Sequence, residues 1–255
     1  MLLILPTLPA NQLVQGSEHM DNLAVTLYDN ADRMFTIDEE RYIISGTNAL
    51  SAFLVAAEQE EYTYQISDEY YEQFSSFLIT SINGIENQGM DGWQFWVNYP
   101  EEEIPMVGSN DYELTEGDVV SWFYGGYGVN PETSDNVITI EISIDTDETN
   151  PSLSLTKPND GDIYLNNNLL FTIPFMYSSV IIKSIELIAE ATDEESGIEL
   201  VSFAIDGTTQ YTDYTQPYTW EYAPSSGFKK VTLTVTATDR SNHQHILEQP
   251  LILID

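Results

Sequence analysis

Carboxylates gather in two short runs of the C-terminal half, where they could bind a cation. Asp193 and Glu195 stand in the run ATDEESG, and Asp239 and Asn242 stand in the run TATDRSN. Calcium takes roughly six to eight oxygen ligands, drawn from different loops. If the fold brings the two runs together, we predict that these four residues surround a Ca²⁺ ion. The alternative is ordinary turn chemistry, since Asp, Ser, Gly and Asn are the residues that turns use.

Aromatic side chains crowd two runs of the N-terminal half, DGWQFWVNYP and VVSWFYGGYG. Because side chains alternate between the faces of a strand, Trp93 and Trp96 point to opposite faces. One set belongs to a core. The other set, which we expect to be Trp96 with Trp122 or Tyr124, stays half exposed unless a second domain or a partner covers it, and such patches mark binding surfaces. The candidate ligand-binding residues are Trp93, Trp96, Asn98, Trp122 and Tyr124.

Motifs for catalysis are absent from the sequence. It has no cysteine, no G-x-S-x-G or H-E-x-x-H motif, no P-loop and no dinucleotide-binding fingerprint. His243 and His245 alternate as on one strand face, which suits a metal pair, but no third ligand accompanies them in sequence. We interpret both as surface residues, and we predict that the protein is not an enzyme.

The charge of the chain restricts its partners. With 42 acidic and 7 basic residues, the formal net charge is −35. Such a surface repels phosphate backbones and anionic lipids, which excludes nucleic acid and membrane surfaces. No apolar run after the N-terminus approaches the roughly 18 residues of a membrane span, so we predict no membrane insertion. A small molecule, a glycan or a surface protein remains as partner, and the carboxylates reflect either salt adaptation or calcium binding.

Hydrophobic periodicity predicts two domains, after an N-terminal segment over 1–20 that we interpret as a tail or the remnant of a secretion signal. The run SGTNALSAFLVAAEQEE has apolar residues at i, i+3, i+4 and i+7, which predicts one helix over 48–59. Strands before and after it make 21–148 a small α+β domain. From 149 to 255 the pattern is purely strands at about 8–12-residue spacing, as in a β-sandwich. The predicted fold class is mainly β.

Both halves resemble known families. The segments TNALSAFLVAA, FLITSINGI, GWQFWVNY and YELTEGDVVSWFY resemble, in order and spacing, the transcobalamin C-terminal-like domain over residues 23–125. That resemblance implies a β-grasp-like fold, with one helix on a small sheet. The segments ATDEESGIELVSFAIDG, QPYTWEY and LTVTATDRSNH are similar to bacterial and archaeal immunoglobulin-like (Ig-like) domains. Both resemblances imply a place outside the cell or in the cell envelope.

These inferences lead to one functional hypothesis and two alternatives. The hypothesis is a secreted or cell-surface binding and adhesion module, in which the aromatic face of the first domain contacts the partner and the Ig-like domain presents it. The first alternative is a structural envelope component bridged by divalent cations. The second is a corrinoid binder, as the transcobalamin resemblance implies.

Overall fold

The computed structural model describes residues 19–224 and 227–255. The predicted tail lies outside these ranges except for residues 19 and 20, which begin the first strand. Two separate hydrophobic cores divide the chain, one drawn from residues 25 to 142 and the other from residues 153 to 253. The predicted boundary at 148–149 falls between the two cores.

The first core belongs to a domain with one main helix. Its elements are β1 (His19–Tyr28), β2 (Asp32–Ile37), β3 (Glu40–Ser45), α1 (Ala49–Gln59), β4 (Tyr64–Ser67), α2 (Tyr71–Phe74), β5 (Leu78–Ile82), β6 (Ile85–Glu86), β7 (Gly92–Val97), β8 (Val119–Gly125) and β9 (Asn136–Asp145). Four strands form a mixed sheet in the order β1-β9-β8-β7, in which β1 runs parallel to β9. The hairpin β2-β3 and the small sheet β4-β5-β6 complete the domain.

Helix α1 forms where the sequence predicts it, because its signals are local. The side chain of Asn48 caps it by accepting a hydrogen bond from the Ser51 amide at 2.9 Å. Residues 49–57 are all buried, and the helix packs on β1 and β9. The ring of Phe53 lies 5.3 Å from that of Trp122 on β8, so helix and sheet share one aromatic core.

The second core belongs to a β-sandwich. Its strands are β10 (Ser152–Lys157), β11 (Asp162–Leu165), β12 (Asn168–Thr172), β13 (Ser179–Ile182), β14 (Ile185–Thr192), β15 (Ile198–Ile205), β16 (Thr208–Asp213), β17 (Tyr218–Tyr222), β18 (Phe228–Asp239) and β19 (Gln244–Ile254). One sheet has the order β10-β14-β17, and the other has the order β12-β11-β13-β19-β18-β15-β16. The predicted fold class, mainly β with one helix-bearing domain and an Ig-like sandwich, is confirmed.

Local chemistry explains the sandwich. Along β14 buried residues alternate with more exposed ones, as a strand with one face in a core requires. The β15-β16 hairpin turns at Asp206 and Gly207, whose φ angles of 49° and 77° are those of a type I′ turn. Tyr218 is buried between the sheets. No helix in the described parts of the chain is long and apolar enough to cross a membrane.

A buried carboxylate organises the start of β11. Asp162 accepts hydrogen bonds from the hydroxyls of Thr172 at 2.6 Å and Tyr164 at 3.0 Å. Burial raises the pKa of Asp162, but these bonds and that from Asn159 outweigh burial and hold the pKa below its ordinary value of 3.8. Burial and the bond to Asp162 raise the pKa of Tyr164 to about 12.

Asp162→Asn is expected to destabilise the second domain by about 1–3 kcal/mol at neutral pH, because an amide cannot accept both hydroxyl hydrogens as a carboxylate does. A depressed folded-state pKa contributes stability above the unfolded pKa, and this contribution is lost as pH falls through the folded pKa. The difference between parent and variant should therefore shrink below about pH 4. Urea unfolding between pH 7 and pH 2.5 measures it. Asp160→Asn, at the exposed neighbouring carboxylate, is the control and should change little.

Candidate functional site

The two domains meet at a region that we call the joint, formed by Glu58 and the segments 28–33, 146–151 and 239–243. The amide of Asp32 donates to the carbonyl of Arg240 at 3.0 Å. Asn30 binds the backbone of Asp147 on both sides: its Nδ2 donates to the Asp147 carbonyl at 2.8 Å, and its Oδ1 accepts from the Asp147 amide at 3.1 Å. The β1-β2 turn is thus attached to both the linker and the second domain.

Arginines add charged contacts between the domains. Arg240 donates from Nη1 and Nη2 to the two carboxylate oxygens of Glu58, at 3.0 and 3.2 Å, and Arg33 reaches the same carboxylate at 3.3 Å. Burial and then the charge of the nearby Arg240 lower the pKa of Arg33 to about 10, against the opposing effect of Glu58. Outside the joint, Arg41 lies over the ring of Tyr214 at 3.5 Å, a further contact between the domains of the cation–π type.

Next to these contacts the joint holds a cluster of two buried carboxylates, Asp147 and Asp239, with the half-buried His243. Ligand-type atoms of the three residues all lie within 4.8 Å of one another. His243 Nδ1 is 3.4 Å from Asp239 Oδ2 and 3.6 Å from Asp147 Oδ1. Both carboxylate side chains have no exposed surface. A buried pair of carboxylates with one imidazole is an arrangement that can ligate a cation or exchange a proton.

The two carboxylates differ in their surroundings. Burial raises the pKa of Asp147, but polar neighbours, Ser196 and Glu195 foremost, outweigh burial and hold that pKa below its ordinary value. Burial raises the pKa of Asp239, and the charge of Asp147 raises it further, against the hydrogen bond from the His243 amide. Burial and then the charges of Glu195 and other acids raise the pKa of Tyr28, at the edge of the same cluster.

The structure brings together only part of the predicted calcium set. Asp239 lies in the cluster, and Glu195 lies beside it, accepting from the Glu148 amide at 3.1 Å. Asp193 caps its own turn, accepting from the amides of Glu195 and Gly197. Asn242 is exposed, with a left-handed φ of 66°, and serves the turn itself. The sequence therefore located the two loops but missed Asp147.

The histidines occupy different environments, contrary to the single strand face that their alternation indicated. His243 lies in the turn before β19 begins at Gln244, and its ring faces the buried carboxylates. His245 is on the strand, where its Nδ1 is 3.0 Å from the carbonyl of Pro151. The turn breaks the alternation, so the two rings do not line one strand face. Sequence reasoning missed His243 as a member of the cluster, although its position four residues after Asp239 is a usable signal.

The aromatic candidates are divided between two faces of the first sheet. Trp93 pairs with Tyr124 across β7 and β8, and both point with Trp122 toward α1. Trp122 is only 2% exposed, and Trp93 donates from Nε1 to the carbonyl of Ile85 at 2.8 Å. These rings are therefore core. The expected grouping of Trp96 with Trp122 or Tyr124 on one outer face does not occur, because the β7-β8 register sets Trp96 opposite Ser121.

Trp96 stays on the outer face, half-buried. It donates from Nε1 to the carbonyl of Glu102 at 2.9 Å, and its ring meets that of Tyr99 edge-on at 4.9 Å. Asn98 is occupied by structural bonds: its side chain accepts from the Val119 amide and donates to Asp118. Of the five candidates, Trp96 is the one whose ring a partner can reach from this outer face.

Comparison with protein families assigns the two halves separately. Residues 48–126 match the family described as a domain of unknown function (DUF4430), which is transcobalamin-like. Residues 151–237 match the family described as a bacterial Ig domain. The search of curated proteins found no match.

Similar solved structures consist of Ig-like or related repeats. The fibronectin(III)-like modules of Clostridium thermocellum CbhA are 19% identical, covering 40% of this chain and 94% of that one, with a TM-score of 0.29. The N-terminal four Ig domains of Dscam1 isoform 7.44 are 7% identical, covering 97% of this chain and 47% of that one, with a TM-score of 0.27. This chain thus spans about half the length of the Dscam1 fragment. The two matches follow each other along the chain without overlap, which supports the two-domain architecture that the sequence predicts.

Proposed function

We propose that this chain is a non-enzymatic module of an extracellular surface, in which the Ig-like domain holds the α+β domain at a fixed angle for contact with a partner. The match of residues 151–237 to bacterial Ig domains supports an extracellular-type role without catalysis. The observation that carries the proposal is the joint, where the Arg240–Glu58 ion pair, the Asp32–Arg240 backbone hydrogen bond and the bonds of Asn30 connect the first domain to the linker and the second domain.

The placement of arginine supports a fixed angle. Domains within one chain move relative to each other unless their interface restrains them, and two acidic domains repel. The three arginines of this sequence are Arg33, Arg41 and Arg240: two of them lie in the joint, and Arg41 makes the cation–π contact between the domains. The arginines therefore lie where their positive charge offsets the repulsion between the two acidic domains.

The outer face of the first sheet is the contact surface in this proposal. Trp96 and Tyr99 offer ring edges and faces, and Glu102 beside them offers a carboxylate that bonds Asn98 and Tyr112. A glycan, a small molecule or a surface protein meets such a surface through stacking and hydrogen bonds. The second domain then acts as the spacer that presents it.

Distance measurements between spin labels test the fixed angle. The sequence has no cysteine, so Glu141→Cys on β9 and Gln210→Cys on β16, both exposed, give one label in each domain. We expect a narrow distance distribution from double electron–electron resonance. Arg240→Ala should broaden it, because both bonds to Glu58 and the bond to the Ser196 carbonyl are lost.

Lys183→Ala is the matched control for that experiment. It removes an ion pair with Asp255 at 3.1 Å, outside the joint, and should leave the distribution narrow. A broad distribution in the parent chain, or equal broadening by Arg240→Ala and Lys183→Ala, would contradict the proposal.

A further inference from the structure

The cluster of Asp147, Asp239 and His243 at the joint contains buried polar atoms that lack a hydrogen bond from the described parts of the chain. Asp147 Oδ2, Asp239 Oδ2, Ser196 Oγ and His243 Nδ1 are all buried and have no hydrogen-bond partner among the described residues. Burying an unpaired carboxylate oxygen is costly, and native proteins pair nearly all such atoms with protein groups, water or ions. Here two carboxylates with no exposed side-chain surface stand together, so the missing partner should carry positive charge.

The distances in the cluster suit a small divalent ion. Protein ligands lie about 2.0–2.2 Å from a tetrahedral Zn²⁺, which places neighbouring ligand atoms about 3.3–3.6 Å apart. His243 Nδ1 stands 3.4 Å from Asp239 Oδ2 and 3.6 Å from Asp147 Oδ1. These separations are too long for good hydrogen bonds, but they match those between two ligands of one ion.

The donor types decide between classes of ion. Calcium prefers oxygen alone, with roughly six to eight ligands, whereas imidazole together with carboxylate suits Zn²⁺ and neighbouring first-row ions. We propose that Asp147, Asp239 and His243 bind one divalent ion of the zinc class at the joint. Ser196 Oγ, buried beside Asp147, is available as a further donor.

The ligands are already held in place by the backbone around them. Asp239 Oδ1 accepts from the amides of Ser241 at 2.9 Å and His243 at 2.8 Å, and Asp147 Oδ1 accepts from the Thr149 amide at 3.0 Å. Such bonds orient the carboxylates and leave Oδ2 of each without a hydrogen bond. Asp147 Oδ1, the oxygen 3.6 Å from His243 Nδ1, has a second lone pair for the ion beside its bond from Thr149. The site therefore exists before binding, and the ion adds a link between the linker and the β18-β19 turn.

The inference goes beyond the calcium set that the sequence predicts. It keeps Asp239, drops Asp193, Glu195 and Asn242, and adds Asp147 and His243, so the ion links the linker to the second domain. Ion binding and the fixed angle between the domains are measured separately, so either proposal can fail without the other.

Calorimetric titration of the full chain with Zn²⁺ and, separately, with Ca²⁺ tests the site. The buffer contains about 0.3 M NaCl, which screens the exposed carboxylates. We expect one Zn²⁺ per chain, bound more tightly than Ca²⁺. His243→Ala should weaken Zn²⁺ binding at least about tenfold, since even outer-shell partners of a metal contribute that much. His245→Ala, two residues away, should leave the affinity unchanged.

Circular dichroism of both histidine variants is the check that they fold. Asp147→Asn gives a second test that does not involve histidine. Loss of Zn²⁺ affinity in both His243→Ala and Asp147→Asn supports the site. Three results would overturn it: no stoichiometric Zn²⁺ binding, equal effects of the two histidine variants, or Ca²⁺ bound more tightly than Zn²⁺ and indifferent to His243→Ala.

Discussion

Replacing Trp122 with alanine is expected to lower the free energy of unfolding of the first domain by about 3–5 kcal/mol, the usual loss when a buried large aromatic ring is truncated. The ring packs between Phe53 of α1 and Phe95 of β7, at centroid distances of 5.3 and 5.5 Å. Its removal leaves a cavity between α1 and the sheet, and neither element can move to fill it without losing its other contacts. Urea unfolding followed by amide hydrogen exchange of α1 measures the loss in this domain.

Trp96→Ala is the matched control, because it removes the same side chain from the outer face of the same sheet. Its expected loss is about 1 kcal/mol, mainly the bond to Glu102 and the contact with Tyr99. Similar losses in the two variants would show that the outer face is as tightly packed as the core, and Trp96 would then be unavailable to a partner.

Phe203→Ala is expected to lower the free energy of unfolding of the second domain by a similar amount, about 3–5 kcal/mol. Phe203 is fully buried, and its ring lies 6.0 Å from that of Trp220 on the facing sheet. Because the two cores share no residue, amide protection in β18 should fall while protection in α1 is retained. Equal losses of protection in both elements would instead show that the domains unfold as one unit.

Local signals in the sequence were enough to predict the helix and the strands, but not which face of a strand is buried. The cap at Asn48 and the apolar spacing after it predict α1 almost to the residue, since a helix is specified within a few turns. The alternation of side chains along β7 predicts that Trp93 and Trp96 point to opposite faces of the sheet, but it does not predict which of the two rings lies in the core. That choice depends on the pairing of Phe95 with Trp122, across an intervening loop of about twenty residues.

The acidic cluster was harder to foresee, because its members belong to different parts of the chain. Asp239 is predicted correctly as a strand-end carboxylate, and its neighbour His243 follows by four residues. Asp147 comes from the linker, and only the docking of the two domains brings it to them. In a sequence with 42 acidic residues, no local pattern separates this carboxylate from those that face water.

The parallel pairing of β1 with β9 has a mechanical consequence. Every residue from His19 to Tyr28 has a partner between Asn136 and Asp145, and the two strands run in the same direction. A pulling force transmitted along the chain enters this domain at His19 and leaves it at Asp145, at opposite ends of the paired ribbon. The ladder between the strands is then loaded in shear, so its hydrogen bonds bear tension together instead of parting one at a time.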